Sequence, residues 1–174
     1  MNNLHLIKVA VFDVDGILTD GRKWQDPNGT LKRVFSVRDT LGLRALRKCG
    51  IVVIAVTSSN SEEIRNHLGT VGFNHFYLGC ESKTQTIGNL MGRYSAGLEN
   101  IALISSSPGD LGMMKQVGFS ATASSATLEV RQSAAFTALR AGGDGAVAEI
   151  CHLIISDIQH HDFQQAKVHG VATL

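Results

Sequence analysis

Short apolar runs recur along the chain, with helix-patterned stretches between them. Residues 7–12, 51–56, 75–78, 101–104 and 119–123 read as strands, with a weaker candidate near 135–139. Residues 41–49, 61–69, 83–94, 109–117 and 145–158 carry apolar positions at helical spacing. Runs such as IVVIAV (51–56) are continuous rather than alternating, the mark of a strand buried on both faces. Strands separated by helices build parallel βαβ units. The pattern therefore predicts an α/β fold, a three-layer α/β/α, doubly wound parallel sheet. Residues 22–37 break the rhythm: DPNG stands between WQ and TLKRVF, which predicts a small β-hairpin flap. From Gln159 onward the apolar period fades in QHHDFQQAKVHG. The expectation is a single domain over 1–158 and a flexible tail over 159–174.

Composition narrows the function classes. A chain of 174 residues, 44% hydrophobic and with 18 glycines, suits one α/β domain with many tight turns. Sixteen basic against fifteen acidic residues give a net charge of +1, without the basic excess that nucleic acid or an anionic membrane surface calls for. No apolar run reaches membrane-spanning length and no signal-peptide pattern precedes the first strand, so a cytosolic protein is expected. Cys49, Cys80 and Cys151 are odd in number and lack CxxC spacing, which predicts free thiols.

The chemistry concentrates in VAVFDVDGILTDG (9–21). An apolar strand ends there in Asp13 and Asp15, and Gly16 lets the chain turn away. Ligands of open α/β sheets bind at the carboxyl ends of strands. A strand period of two puts both carboxylates on one side, where one can act as nucleophile or metal ligand while the other handles protons. A calcium loop fails, because its twelfth position from Asp13 is Trp24 rather than a bidentate Glu. A plain turn explains Gly16 but not the two acids.

Two more segments carry candidates. Thr57 and Ser58 follow the strand IVVIAV, where a hydroxyl and backbone N–H groups can hold a phosphate. Taken alone, the segment reads first as a helix start, with Ser59 or Ser61 as cap ahead of Glu62 and Glu63. Lys83 in GCESKT lacks the glycine and spacing of a P-loop. A cation in a first helical turn is slightly unfavourable beside the helix dipole, which hints at a reason for it.

DVDGILTDG, FSVRDTLGLRALRKCGI (35–51), AVTSSNS (55–61), YLGCESK (77–83) and GGDGAVAEIC (142–151) occur in this order. As a series they resemble the capless phosphatases of the haloacid dehalogenase type, in particular the 3-deoxy-D-manno-octulosonate 8-phosphate phosphatase-like family. The resemblance covers about Lys8 to Ile155. It implies a magnesium-dependent phosphomonoesterase acting on a phosphorylated sugar acid, with Asp13 as nucleophile and Asp15 as general acid/base. It also implies Thr57 and Lys83 on the phosphate, and a homotetramer in which neighbouring subunits cover the site beside the hairpin.

The chain departs from that family at polar site positions. Gly-Arg after the phosphate-binding Thr is replaced by Ser58 and Ser59, which removes a cation. In IALISSSPGD (101–110) the two adjacent acids of the fourth motif are replaced by Ser106 and Ser107, leaving Asp110. Serine hydroxyls are neutral and poor substitutes for the carboxylates magnesium prefers. Family members commonly carry an Asp near Ser125, and Gly-Gly-Arg-Gly where this chain has Gly-Gly-Asp-Gly at 142–145, so that Asp144 reverses a charge. The expectation is weakened phosphatase activity, with magnesium held weakly by Asp13, Asp15 through its backbone carbonyl, and at most Asp110. The alternative is a non-catalytic regulatory or oligomerisation relative of sugar-acid pathway enzymes. The carboxyl-terminal domain of some CMP-sialic acid synthetases resembles the same family, has a degenerate fourth motif and acts mainly in assembly.

Overall fold

The computed structural model describes residues 3–168. Its central sheet has six strands, β1 (Val9–Asp13), β4 (Val52–Val56), β5 (His75–Tyr77), β6 (Ile101–Ile104), β7 (Phe119–Thr122) and β8 (Phe136–Thr137). They lie in the order β5-β4-β1-β6-β7-β8 and every pairing is parallel. The chain winds outward from β1 to β5, then returns to β6 on the other side of β1. That reversal opens a crevice at the carboxyl ends of the central strands.

β1 shows why the fold has three layers. Ala10 and Phe12 pack in one apolar cluster with Leu43, Leu46, Ile150 and Ile154. These belong to α1 (Val37–Lys48) and α6 (Ala146–Val168). Val9 and Val11 pack in the opposite cluster with Ile87, Leu90, Met113 and Val130. Those residues come from α3 (Lys83–Tyr94), α4 (Leu111–Met114) and α5 (Leu128–Ser133), while α2 (Glu62–Val71) sends Ile64 and Leu68 to the first cluster. A strand with both faces covered has to be apolar throughout, as this one is.

The hairpin is present, with β2 (Trp24–Gln25) antiparallel to β3 (Leu31–Lys32). Asp26 organises its turn: Oδ1 accepts from the backbone N–H groups of Asn28 and Thr30, each at 2.9 Å. Gly29 closes it with a left-handed φ of 81°.

Element ends differ from the sequence pattern for physical reasons. α1 begins four residues before the expected 41, because Val37 and Leu41 are exposed and contribute no apolar period. Asp39 lies buried in its first turn and accepts from the N–H groups of Ala148 (2.8 Å) and Gly145 (3.3 Å), capping α6 from another helix. The helix expected over 109–117 reduces to a 3-10 turn over Pro108–Asp110 and the four residues of α4, a stretch bounded and interrupted by Gly109, Gly112 and Gly118. The tail expected from Gln159 is corrected as far as Val168: α6 continues without a break, since Gln, Ala and Lys are good helix formers that need no apolar face. Its later turns are also held from outside. The His5 N–H donates to Asp157 Oδ2 at 2.9 Å, and the His5 ring stacks on His161 with centroids 3.8 Å apart. Residues 169–174 of that expectation lie outside the described residues. Among the described residues no helix is long and apolar enough to cross a membrane.

Candidate active site

β1 ends on Asp13, and the backbone then folds through a wide turn over Val14–Leu18. Asp15 is extended there (φ −71°, ψ 124°) and Gly16 is left-handed (φ 85°). The side chain of Asp15 is therefore aimed by the turn rather than by the strand pleat. Close approach fixes the turn from two sides. A Cβ on Gly16 would lie 2.3 Å from Ser106 Oγ, and a Cβ on Gly142 would lie 2.1 Å from the Gly16 carbonyl oxygen. Gly142 meets backbone and excludes any larger residue, whereas at Gly16, where the Ser106 hydroxyl can turn aside, the left-handed φ is the stronger bar.

Asp13 is 8% exposed and both its oxygens are engaged. Oδ1 accepts from the Val14 N–H at 2.9 Å, while Oδ2 lies 2.8 Å from the Lys83 ammonium and 3.4 Å from Ser105 Oγ. Lys83 opens α3 and also reaches Asp110 Oδ2 at 2.6 Å, so it bridges the two carboxylates. Ser105, fully buried, donates to the same Asp110 oxygen. Burial lifts the Asp13 carboxyl above its ordinary range despite Lys83. Burial pulls Lys83 down, but Asp13 and Asp110 together outweigh it and the ammonium ends above its ordinary value. Of Asp13 and Lys83, the ammonium is thus the more secure charge.

The six sequence-derived candidates Asp13, Asp15, Thr57, Ser58, Lys83 and Asp110 line one cavity of about 310 Å³ at the strand ends. Thr57 sits at the carboxyl end of β4, where its Oγ1 accepts from the Ser59 N–H at 3.2 Å. Ser61 holds the cap position of α2 without a side-chain bond, so capping does not account for the serine run. Glu81 also lines the cavity. The lining thus carries four carboxylates (Asp13, Asp15, Glu81, Asp110) against one ammonium, Lys83. Ser125 and Asp144 are elsewhere, in a separate groove with Asp20 and Arg22. Ser125 Oγ accepts from the Gly142 N–H at 3.1 Å, which steadies the segment pressed on Gly16.

Like Glu81, Arg33 is a residue the sequence pattern did not point to. Arg33, just beyond β3, has a side chain only 2% exposed and grips Asp15 with a fork: Nε to Oδ1 at 2.7 Å and Nη2 to Oδ2 at 3.1 Å. Thr19 Oγ1 donates to Asp15 Oδ1 as well, at 3.3 Å. Glu63 on α2 shares the guanidinium at 3.4 Å. The flap's apolar surface is also redistributed. Trp24 and Val34 are 61% and 60% exposed, whereas Phe35 stacks on His67 with ring centroids 3.6 Å apart and is largely covered.

The side chains present do not fit a magnesium cage. Among the described residues no group of three or more His, Cys, Asp and Glu side chains is placed to hold a metal. Asp13 and Asp110 are bridged by an ammonium. The Asp15 carbonyl oxygen accepts from Ser106 Oγ at 3.1 Å, and Ser107 Oγ accepts from the Gly109 N–H. Two neutral hydroxyls are committed to backbone groups where magnesium would need charged oxygens.

The chain and its fold have counterparts among known proteins. The chain is 30% identical to the 3-deoxy-D-manno-octulosonate 8-phosphate phosphatase of Escherichia coli (strain K12) over 149 residues, 86% of this chain and 79% of that protein. The chain belongs to the 3-deoxy-D-manno-octulosonate 8-phosphate phosphatase family. That family lies within the haloacid dehalogenase superfamily. The family member of Moraxella catarrhalis, solved with magnesium, phosphate and KDO, superposes with a TM-score of 0.86 at 29% identity, covering 95% of each chain. The cobalt-bound family member of Haemophilus influenzae superposes with a TM-score of 0.84 at 30% identity, covering 90% of this chain and 92% of that one. No family model matches the chain.

Proposed function

We propose that this chain is a haloacid dehalogenase-type phosphomonoesterase acting on a phosphorylated sugar acid such as 3-deoxy-D-manno-octulosonate 8-phosphate, with lowered turnover. The observation that carries the reading is the convergence of Asp13, Asp15, Thr57, Ser58 and Lys83 on one cavity at the strand ends. In the proposed reaction an Asp13 carboxylate oxygen attacks phosphorus and the ester P–O bond breaks. Asp15, with one oxygen freed from the Arg33 fork to carry a proton, gives that proton to the departing sugar oxygen, then takes one from the water that cleaves the aspartyl phosphate. Thr57, Ser58 and Lys83 hold the phosphoryl oxygens, and Lys83 offsets charge that develops on them. Asp110 keeps Lys83 pointed at Asp13.

Charge accounts for the lowered turnover. Of the four carboxylates on the lining, Arg33 compensates Asp15 from behind, while Asp13 and Asp110 share Lys83 and Glu81 adds a further negative charge facing a dianionic phosphate. Magnesium bound in the Moraxella catarrhalis protein would offset this, but here the donors favour weak binding at most. The same observation favours a second reading, a non-catalytic relative that keeps the fold for regulation or assembly. We further propose a cytosolic homotetramer in which the exposed Trp24, Leu31 and Val34 of the flap pack on a neighbour that walls the site. Phosphate release from 3-deoxy-D-manno-octulosonate 8-phosphate with magnesium, beside Asp13→Asn, tests the activity. Slow turnover abolished by Asp13→Asn supports it; release equal in both proteins, or none in either, contradicts it.

A further inference from the structure

Arg33 leaves an exposed hairpin yet ends buried, and it does not line the cavity. Its fork takes both oxygens of Asp15. Its remaining terminal nitrogen reaches Glu63 Oε2 at 3.4 Å, and its backbone N–H donates to Glu63 Oε1. Two residues on, Phe35 stacks on His67, also of α2. One short stretch of chain therefore does two things: it docks the flap on α2, and it grips the acid of the site. A planar fork on a carboxylate fixes both side-chain torsions, which a point charge on one oxygen does not.

We propose that Arg33 is the positioning residue of this site, holding Asp15 in one orientation at the cavity and making that orientation depend on the flap's being docked on α2. The kinetic consequence rests on the phosphoryl-transfer reading above; the mechanical coupling does not. The exposed Trp24, Leu31 and Val34 lie on the same hairpin. Whatever covers them acts on Asp15 through Arg33, so assembly and proton transfer become linked. Without Arg33 the partly exposed Asp15 loses its anchor, and without Asp15 the buried guanidinium keeps only the longer contact to Glu63, so the coupling runs in both directions.

Two measurements on the full chain test this. With para-nitrophenyl phosphate as probe, Arg33→Met should lose about tenfold or more in kcat while KM stays within about threefold, since a displaced acid/base costs rate rather than binding. Arg33→Lys, which keeps the charge but not the fork, should recover only part of that loss. Independently, Asp15→Asn should speed amide hydrogen exchange across residues 30–35 by about tenfold and leave β1 and β4 unchanged. Wild-type kcat in a folded Arg33→Met, full rescue by Arg33→Lys, or unchanged flap exchange in Asp15→Asn would overturn the proposal. A wild-type chain with no turnover contradicts the phosphatase reading instead, and flap exchange then decides the coupling alone.

Discussion

Ser106 Oγ donates to the Asp15 carbonyl oxygen at 3.1 Å, from a position pressed against Gly16. A cation shared between Asp13 and that carbonyl would meet a neutral hydroxyl on the carbonyl and an ammonium on Asp13, where a carboxylate would favour it more. The site is closed on itself by hydrogen bonds and one ammonium. Its polarity is satisfied without a metal, and its charge suits an anionic substrate poorly.

Lys83 carries the largest stability consequence. In Lys83→Met the buried carboxylates of Asp13 and Asp110 lose the cation between them, and stability should fall by about 3–5 kcal/mol at neutral pH. Protonating one carboxyl relieves the repulsion, so the deficit should shrink on acidification. Urea denaturation at about pH 7 and about pH 5 checks both points. A deficit that is absent, or that grows with acid, contradicts the ammonium bridge.

Asp39 gives a separate acid-dependent signal. Burial lifts its carboxyl above the ordinary 3.8, outweighing the bonds from Ala148 and Gly145. The folded protein therefore holds this proton more tightly than the unfolded chain. The resulting stabilisation is full below 3.8 and is lost as pH rises through the folded value. Asp39→Asn lacks it and turns a donor toward a backbone N–H, costing about 1–3 kcal/mol. The wild-type advantage over Asp39→Asn should thus widen from about pH 7 to about pH 4. An advantage that narrows over that range contradicts the assignment.

The flap should assemble the protein. Trp24→Glu with Val34→Glu puts charge on two exposed apolar positions and leaves the Phe35–His67 stack intact. Light scattering should show a tetramer for the wild type and smaller, folded species for the double variant. A monomeric wild type, or an unaltered tetramer, removes the shared-wall model.

Continuous apolar runs made the sheet legible, because a strand covered on both sides leaves no alternation to misread, and α3 falls on the expected residues 83–94. The convergence of Thr57, Lys83 and Asp110 on Asp13 was legible only through the motif series, since no local spacing joins them. Arg33 was not legible. Its bonds to Asp15 and Glu63 span 18 and 30 residues and depend on how the hairpin folds back. Asp39 capping α6 across 109 residues is the same kind of contact. α5 has only six residues, too few to show a helical period. The polar end of α6 lacked an apolar face to reveal it.

The proposed lowering of turnover follows from lost carboxylates rather than from a lost fold. Its most direct test is kcat with magnesium on 3-deoxy-D-manno-octulosonate 8-phosphate for Ser106→Asp with Ser107→Asp, relative to wild type. A restored metal ligand set should raise kcat by about a hundredfold, the effect of several kcal/mol of transition-state stabilisation. A correctly folded double variant no faster than wild type would contradict the account.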